Sequence, residues 1–312
     1  MHASAADAEP SCHHRRNEFR AENVMKLSVV VSTYNSPKWL EKVLWGYSAQ
    51  THTDFEIIIA DDGSERGTTV LIDRMRAETG LPITHVWQKD DGFRKCRILN
   101  KAVLHATTEY VVFTDGDCIP RRDFLAVHAR RARPGHYLSG GYYKLSMSTS
   151  EAIAKDDIVS GRCFELDWLV AHGLSRSYKN LKLIATHSQA RILNILTPTR
   201  CNFKGSNGSA WKRDVLAVNG FDERMSWGGE DRELGVRLRN NGIKPRHVRY
   251  DAIVIHLDHG RPYRDSVAVA ANEVLRKRVE KERILRTDFG IAQLLQQGYR
   301  AASEVGQETV PE

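Results

Sequence analysis

The chain has 312 residues, of which 41% are hydrophobic and 27% charged, and a formal net charge of +7. That is enough polypeptide to bury one large α/β core or two small ones, and it excludes both a wholly disordered chain and a small fold dependent on staples. The basic excess suits an acidic partner such as a nucleotide phosphate, an anionic membrane surface or nucleic acid.

Cys12, Cys96, Cys118, Cys163 and Cys201 are scattered and form no CxxC pair. This fits a reducing, cytoplasmic compartment better than a disulfide framework or a zinc knuckle. No apolar run approaches the about 20 residues of a membrane-spanning helix. Residues 1–24 lack the apolar stretch of a secretory signal and read as a disordered leader.

Leu27–Thr33 (LSVVVST) predicts a buried parallel strand, and Ser36-Pro37 opens a helix through about Ala49. Phe55–Ala60 is a second strand, ending at Asp61-Asp62-Gly63-Ser64, and a helix covers about Thr68–Thr79. Ile83–Trp87 reads as a strand, Phe93–Ala106 as a helix, and Tyr110–Thr114 as a strand ending at Asp115-Gly116-Asp117. This alternation predicts a Rossmann-like, doubly wound, mostly parallel sheet whose chemistry gathers at the strands' carboxyl ends. Residues 25–120 form this first half.

Residues 121–260 differ. His136–Leu145 reads as a pair of strands, 146–200 as basic and mostly helical, Ser209–Trp211 as a strand and Arg213–Val218 as a helix. Glu230–Asn241 is a helix stopped at Gly242, and Val248–His256 a final strand. From 261 onward, Ser266–Arg286 is a charged helix and the last 20 or so residues a frayed tail.

The strand-end acids carry the chemistry. Asp115 and Asp117 can face one cavity and offer hard oxygens to Mg²⁺ or Mn²⁺, although a solvated turn has the same sequence. Asp62 can accept a hydrogen bond from a base, and Tyr34 offers a stacking face. Trp227-Gly228-Gly229 leads into Glu230 and Asp231 at a helix N-terminus, where an anionic carboxylate is stabilised and can act as a general base. His256, and less strongly His259, can complete a metal shell begun by Asp117. Cys118 reads as a packed thiol.

Together these pieces resemble inverting glycosyltransferases of family 2 with the GT-A fold. The resemblance rests on Val29–Asn35, Ile59–Ser64, Gly92-Phe93-Arg94 and Phe113–Asp117. Gly205–Ser209, Asn219–Glu223 and Trp227–Asp231 resemble the C-terminal half of galactosyltransferases and chondroitin-polymerase-type enzymes. The resemblance implies Ser32, Tyr34 and Asp62 on the uracil of a UDP-sugar, and Arg94, joined by Lys95 or Arg97, on its diphosphate. It implies Asp115 on the ribose, and Asp117 and His256 on the metal, Mn²⁺ or Mg²⁺. Asp231 is then the base, Glu230 stands beside it on the acceptor, and Trp227, Gly228, Gly229 and Asn207 shape the sugar pocket. The acceptor is a saccharide or lipid-linked saccharide of cell-surface polysaccharide, lipopolysaccharide or glycolipid synthesis, reached from the cytoplasmic face of a membrane.

Two other enzymes are disfavoured. A nucleotidyltransferase or an NAD-dependent oxidoreductase would bring a Gly-rich phosphate loop after the first strand, and VVVSTYNSP has no glycine. No zinc-finger or RNP-like pattern supports nucleic-acid binding. A non-catalytic membrane module stays open through the 266–286 helix, which either touches anionic lipid or packs on the domain.

Overall fold

The computed structural model describes residues 25–260 and 265–301. The expected leader, residues 1–24, lies outside them. In chain order the elements begin with β1 (Leu27–Thr33), α1 (Pro37–Ser48), β2 (Phe55–Asp61), α2 (Arg66–Thr79), β3 (Ile83–Trp87), α3 (Lys95–His105) and β4 (Tyr110–Asp115). Next come β5 (Cys118–Pro120), α4 (Phe124–Arg131), β6 (His136–Ser139) and β7 (Gly141–Lys144). Five short helices follow: α5 (Met147–Ala152), α6 (Lys155–Ser160), α7 (Leu166–Ala171), α8 (Leu181–Ile184) and α9 (His187–Leu196). The remainder is β8 (Gly208–Trp211), α10 (Lys212–Ala217), α11 (Glu230–Asn240), β9 (Lys244–His247), β10 (Ile253–His256), α12 (Ser266–Lys281) and α13 (Ile291–Gln296).

Seven strands form one sheet in the order β3-β2-β1-β4-β8-β6-β9, parallel throughout except that β8 runs against both of its neighbours. Every residue of β1 is buried, as a strand covered on both faces must be. Val29 and Val31 pack with α1 and α2 on one face, while Val30 packs with α3, Phe203 and Phe221 on the other. A second sheet, β5-β10-β7, lies beside the first. It carries β10 from the far end of the chain to the strand that follows Asp117.

Three expectations are corrected. β6 and β7 do not pair with each other; they enter different sheets on either side of Gly140. The strand expected over Val248–His256 is confined to β10, Ile253–His256; the residues before it, including Arg249-Tyr250-Asp251, form a turn, and a strand that was not expected, β9, precedes that turn. Residues 291–296 are helical: Ile291 and Leu294 are buried, and α13 packs on α3. Of the two roles open to the charged helix, packing on the domain is seen: α12 lies on α11, with Asn272 and Val279 buried, while Val267 and Val274 stay exposed. No helix among the described residues is long and apolar enough to cross a membrane.

Asn207, expected in the sugar pocket, is fully buried instead. Its amide donates to the carbonyls of Gly141 and Ala252 at 2.8 and 2.9 Å, joining the two sheets. Its carbonyl oxygen lies 3.2 Å from Nε2 of His128, which burial keeps neutral by pulling its pKa down to about 4. Asn207→Ala strands two buried carbonyls and should lower unfolding stability by about 2 kcal/mol, read from denaturant midpoints. Unchanged stability would show that the joint carries nothing.

Candidate functional site

β1, β2 and β4 are parallel and in register, so Thr33 lies beside Asp61 and Ser32 beside Asp115. Their carboxyl ends open into a cleft of about 970 Å³, where open α/β sheets hold their ligands. Ser32, Tyr34, Asp62, Asp115, Asp117, Trp227, Gly228, Gly229, Glu230, Asp231 and His256 all line it. Residues separated by some two hundred positions in sequence meet in one hollow.

The β1 end turns through Asn35, whose left-handed φ of 44° is one that Asn tolerates. Its side chain accepts the N–H of Glu65, and its own N–H donates to Ser64, which ties Tyr34-Asn35 to the Asp-Asp-Gly-Ser turn. Asp61 faces inward, accepting the Ser64 N–H and meeting His85 at 2.9 Å. Asp62 faces the cleft. It accepts from Gln88 at 2.6 Å and from the Arg94 N–H at 2.9 Å. Burial pushes its carboxyl up to about 6 despite these two bonds. The Tyr34 hydroxyl donates to Asp90, which holds the half-exposed ring at the rim.

Asp115 accepts from Ser32 and from Lys95, both at 2.7 Å. Burial opposes the charge on Lys95, but Asp115 and Glu230 outweigh it, and its pKa stands above the ordinary lysine value. Arg94 does not enter the cleft. Its guanidinium pairs with Asp91 outside, and Arg97 pairs with Glu223. Lys95, the first residue of α3, is the cation that reaches the strand ends. Its N-terminal position on a helix aimed at those ends is the signal that separates it from Arg94.

Asp117 lies 2.9 Å from Nε2 of His259 and 3.8 Å from Nε2 of His256. Burial opposes its ionisation, but the His259 hydrogen bond and the nearby His256 prevail and hold the carboxyl down at about 2. The two imidazoles stack with centroids 5.5 Å apart. Nδ1 of His256 is 2.8 Å from the Leu257 carbonyl, and that contact requires a proton on Nδ1. The Nε2 lone pair is then free to bind a cation beside Asp117. Cys118 completes the cluster geometrically, but burial pushes its thiol well above the usual range, and a protonated thiol is no ligand for a hard ion. The donor set that fits Mn²⁺ or Mg²⁺ is therefore carboxylate and imidazole. His259 meets Asp117 directly, a contact that its spacing of three from His256 allows.

Gly228 and Gly229 have φ of 107° and 93°, the left-handed region, and turn the chain into α11. Asn272 of α12 donates to the carbonyls of Ser226, Trp227 and Gly228, which fixes this loop. Glu230 accepts the Gly228 N–H and lies 4.0 Å from Lys95. Burial, only partly offset by Lys95, raises its pKa. Asp231 accepts from the N–H groups of Gly205 and Arg232 at 3.0 and 2.7 Å, and points into the cleft with its orientation set. Lys144 and Lys204 also line the walls, and no sequence motif marks them.

Residues 28–185 match the family model described as glycosyl transferase family 2, and residues 200–260 match that of the N-terminal domain of galactosyltransferase. Chondroitin synthase of Escherichia coli is 31% identical over 71% of this chain and 33% of its own. Validoxylamine A glucosyltransferase of Streptomyces hygroscopicus subsp. jinggangensis is 29% identical over 79% and 58%. The chain thus spans less than two thirds of either relative. In fold it is similar to TarS 1–349 of S. aureus in complex with UDP-GlcNAc, with a TM-score of 0.59 and 17% identity over 86% of this chain and 69% of that one. It is also similar to the mannosyltransferase PcManGT of Pyrobaculum calidifontis, in complex with GDP-Man and Mn²⁺ (TM-score 0.51, 18% identity, 88% and 79%). The fold is of the GT-A type.

Asp62 supplies a direct electrostatic check. Because its folded value lies above the ordinary aspartate range, its contribution to stability is present in acid and fades as pH rises from about 4 through 6. The Asp62 carboxyl should titrate near pH 6 by NMR, and Gln88→Leu, which removes a bond to the carboxylate, should raise that midpoint. A midpoint near 4 would contradict the burial described.

Proposed function

The chain belongs to glycosyl transferase family 2, and on that premise we propose that it moves a hexosyl or N-acetylhexosaminyl group from a UDP-sugar to an acceptor hydroxyl with inversion at the anomeric carbon. The observation that carries this reading is the convergence of Asp62, Asp115, Asp117, Asp231 and His256 on one cleft.

Asp62 accepts an N–H of the uracil, and Tyr34 stacks on its face. Ser32 and Asp115 face the ribose, and Lys95 meets the diphosphate. Asp117 and His256 would hold a divalent cation, Mn²⁺ or Mg²⁺, and such an ion would supply charge stabilisation to a leaving diphosphate. Asp231 takes the proton of the acceptor hydroxyl. The acceptor oxygen bonds to the anomeric carbon from the face opposite UDP, and the breaking C–O bond leaves its electron pair on the diphosphate. Holding both partners in line removes much of the entropic barrier. Glu230, bonded to the Gly228 N–H and close to Lys95, keeps the loop before Asp231 in place. The acceptor is a saccharide or a lipid-linked saccharide.

Asp231→Asn should keep UDP affinity and lower transfer by about 10²–10⁴-fold, the range for loss of a positioned base. Near wild-type turnover would remove Asp231 from the chemistry. Chelation by EDTA should abolish transfer, and Mn²⁺ or Mg²⁺ should restore it. Full activity of metal-stripped protein would contradict the roles of Asp117 and His256.

A further inference from the structure

A second surface uses none of the cleft residues. The interval from 168 to 213 contains no Asp or Glu but carries Arg176, Lys179, Lys182, Arg191 and Arg200. Large apolar side chains stand in water along it: Tyr178 at 83% exposure, Ile195 at 82% and Leu196 at 70%, with Leu181, Ile184 and Ile192 also exposed. The helix α9 is turned inside out. Ala190 is buried and Asn194 donates to Asp251, so polar Asn194 faces the domain while Ile192, Ile195 and Leu196 face away.

Next to that apolar stripe is a hollow of about 430 Å³ lined by Arg130, Arg131, His187, Ser188, Arg191 and Arg246. At helical spacing, the pocket residues 187, 188 and 191 occupy the sector beside 192 and 195. Arg131 pairs with Asp251. Arg130, Arg191 and Arg246 have no carboxylate within ion-pair distance among the described residues. Burial, followed by the charges of Arg131, Arg133 and Arg191, lowers the pKa of Arg246. Four arginines that share Asp251 as their nearby carboxylate leave positive charge in excess, and that excess, bordered by a protruding apolar stripe, fits a surface that is anionic outside and hydrocarbon within.

We propose that this face docks on an anionic phospholipid bilayer, with the α8–α9 apolar side chains entering the acyl region and the arginine-lined hollow receiving a lipid phosphate. This docking stands apart from the transfer chemistry, because vesicle binding reads this face and UDP binding reads the cleft.

The test is co-sedimentation of the full chain with phosphatidylcholine vesicles, with and without about 30% phosphatidylglycerol. Wild type should bind the anionic vesicles at least about tenfold better than the neutral ones, and salt at about 0.5 M should release most of it. Ile192→Asp with Ile195→Asp, at exposed positions, should lower binding about tenfold while leaving the thermal midpoint and UDP affinity unchanged. Arg130→Ala with Arg191→Ala should remove the preference for the anionic lipid. Equal binding by the isoleucine variant, or no vesicle binding by wild type, would overturn the proposal. So would a dimer, formed without lipid, that the isoleucine variant dissociates.

Discussion

The Lys95 ammonium is the contact on which the site depends. It lies 2.7 Å from Asp115 at the end of β4 and 4.0 Å from Glu230 at the start of α11. Burying an ammonium is costly unless carboxylates face it, and here they hold it charged against burial. The same contact brings the early, parallel half of the chain to the later half. Without it, Asp115 and Glu230 would face each other across a partly dry cleft with no cation between them. Lys95 is thus the cation that lets Asp115 and Glu230 share one cleft.

A second layer of support comes from outside the motifs. Asn272 on α12 ties down three successive carbonyls of the Ser226–Gly228 loop, and Gly205 donates to Asp231 from the loop before β8. The orientation of Asp231 is therefore set by segments on both sides of it in sequence. The helix α12 serves the site as a brace, which explains why its buried side chains include a polar Asn. The net positive charge of the chain divides in a similar way. Lys95, Lys144 and Lys204 stand among the cleft acids, whereas four arginines, with Asp251 paired to Arg131, collect on the face formed by α4, α9 and β9.

How much could be read beforehand followed the burial of each segment. β1 and β3 fall on the expected residues, and β2 and β4 extend one residue further, because buried β-branched runs leave few alternatives. β9 was hidden: Lys244-Pro-Arg-His is polar and lies at the edge of the sheet, where only one side needs a partner. α13 was hidden too, since two buried apolar residues in a polar tail give no periodicity. In the site, the acids at strand ends and at the start of α11 were legible because their positions follow from the fold. Asn207 was misread because a polar residue in a motif was taken for a ligand contact when it satisfies two buried carbonyls. Arg94 and Lys95 are neighbours in sequence, and only the direction in which α3 begins separates them.

The most direct test of the central claim is anomalous diffraction from crystals grown with UDP and Mn²⁺. The account requires a single strong manganese peak beside Asp117 and His256, with the uracil against Tyr34 and Asp62. A manganese peak away from Asp117 and His256, or UDP bound outside this cleft, would contradict it.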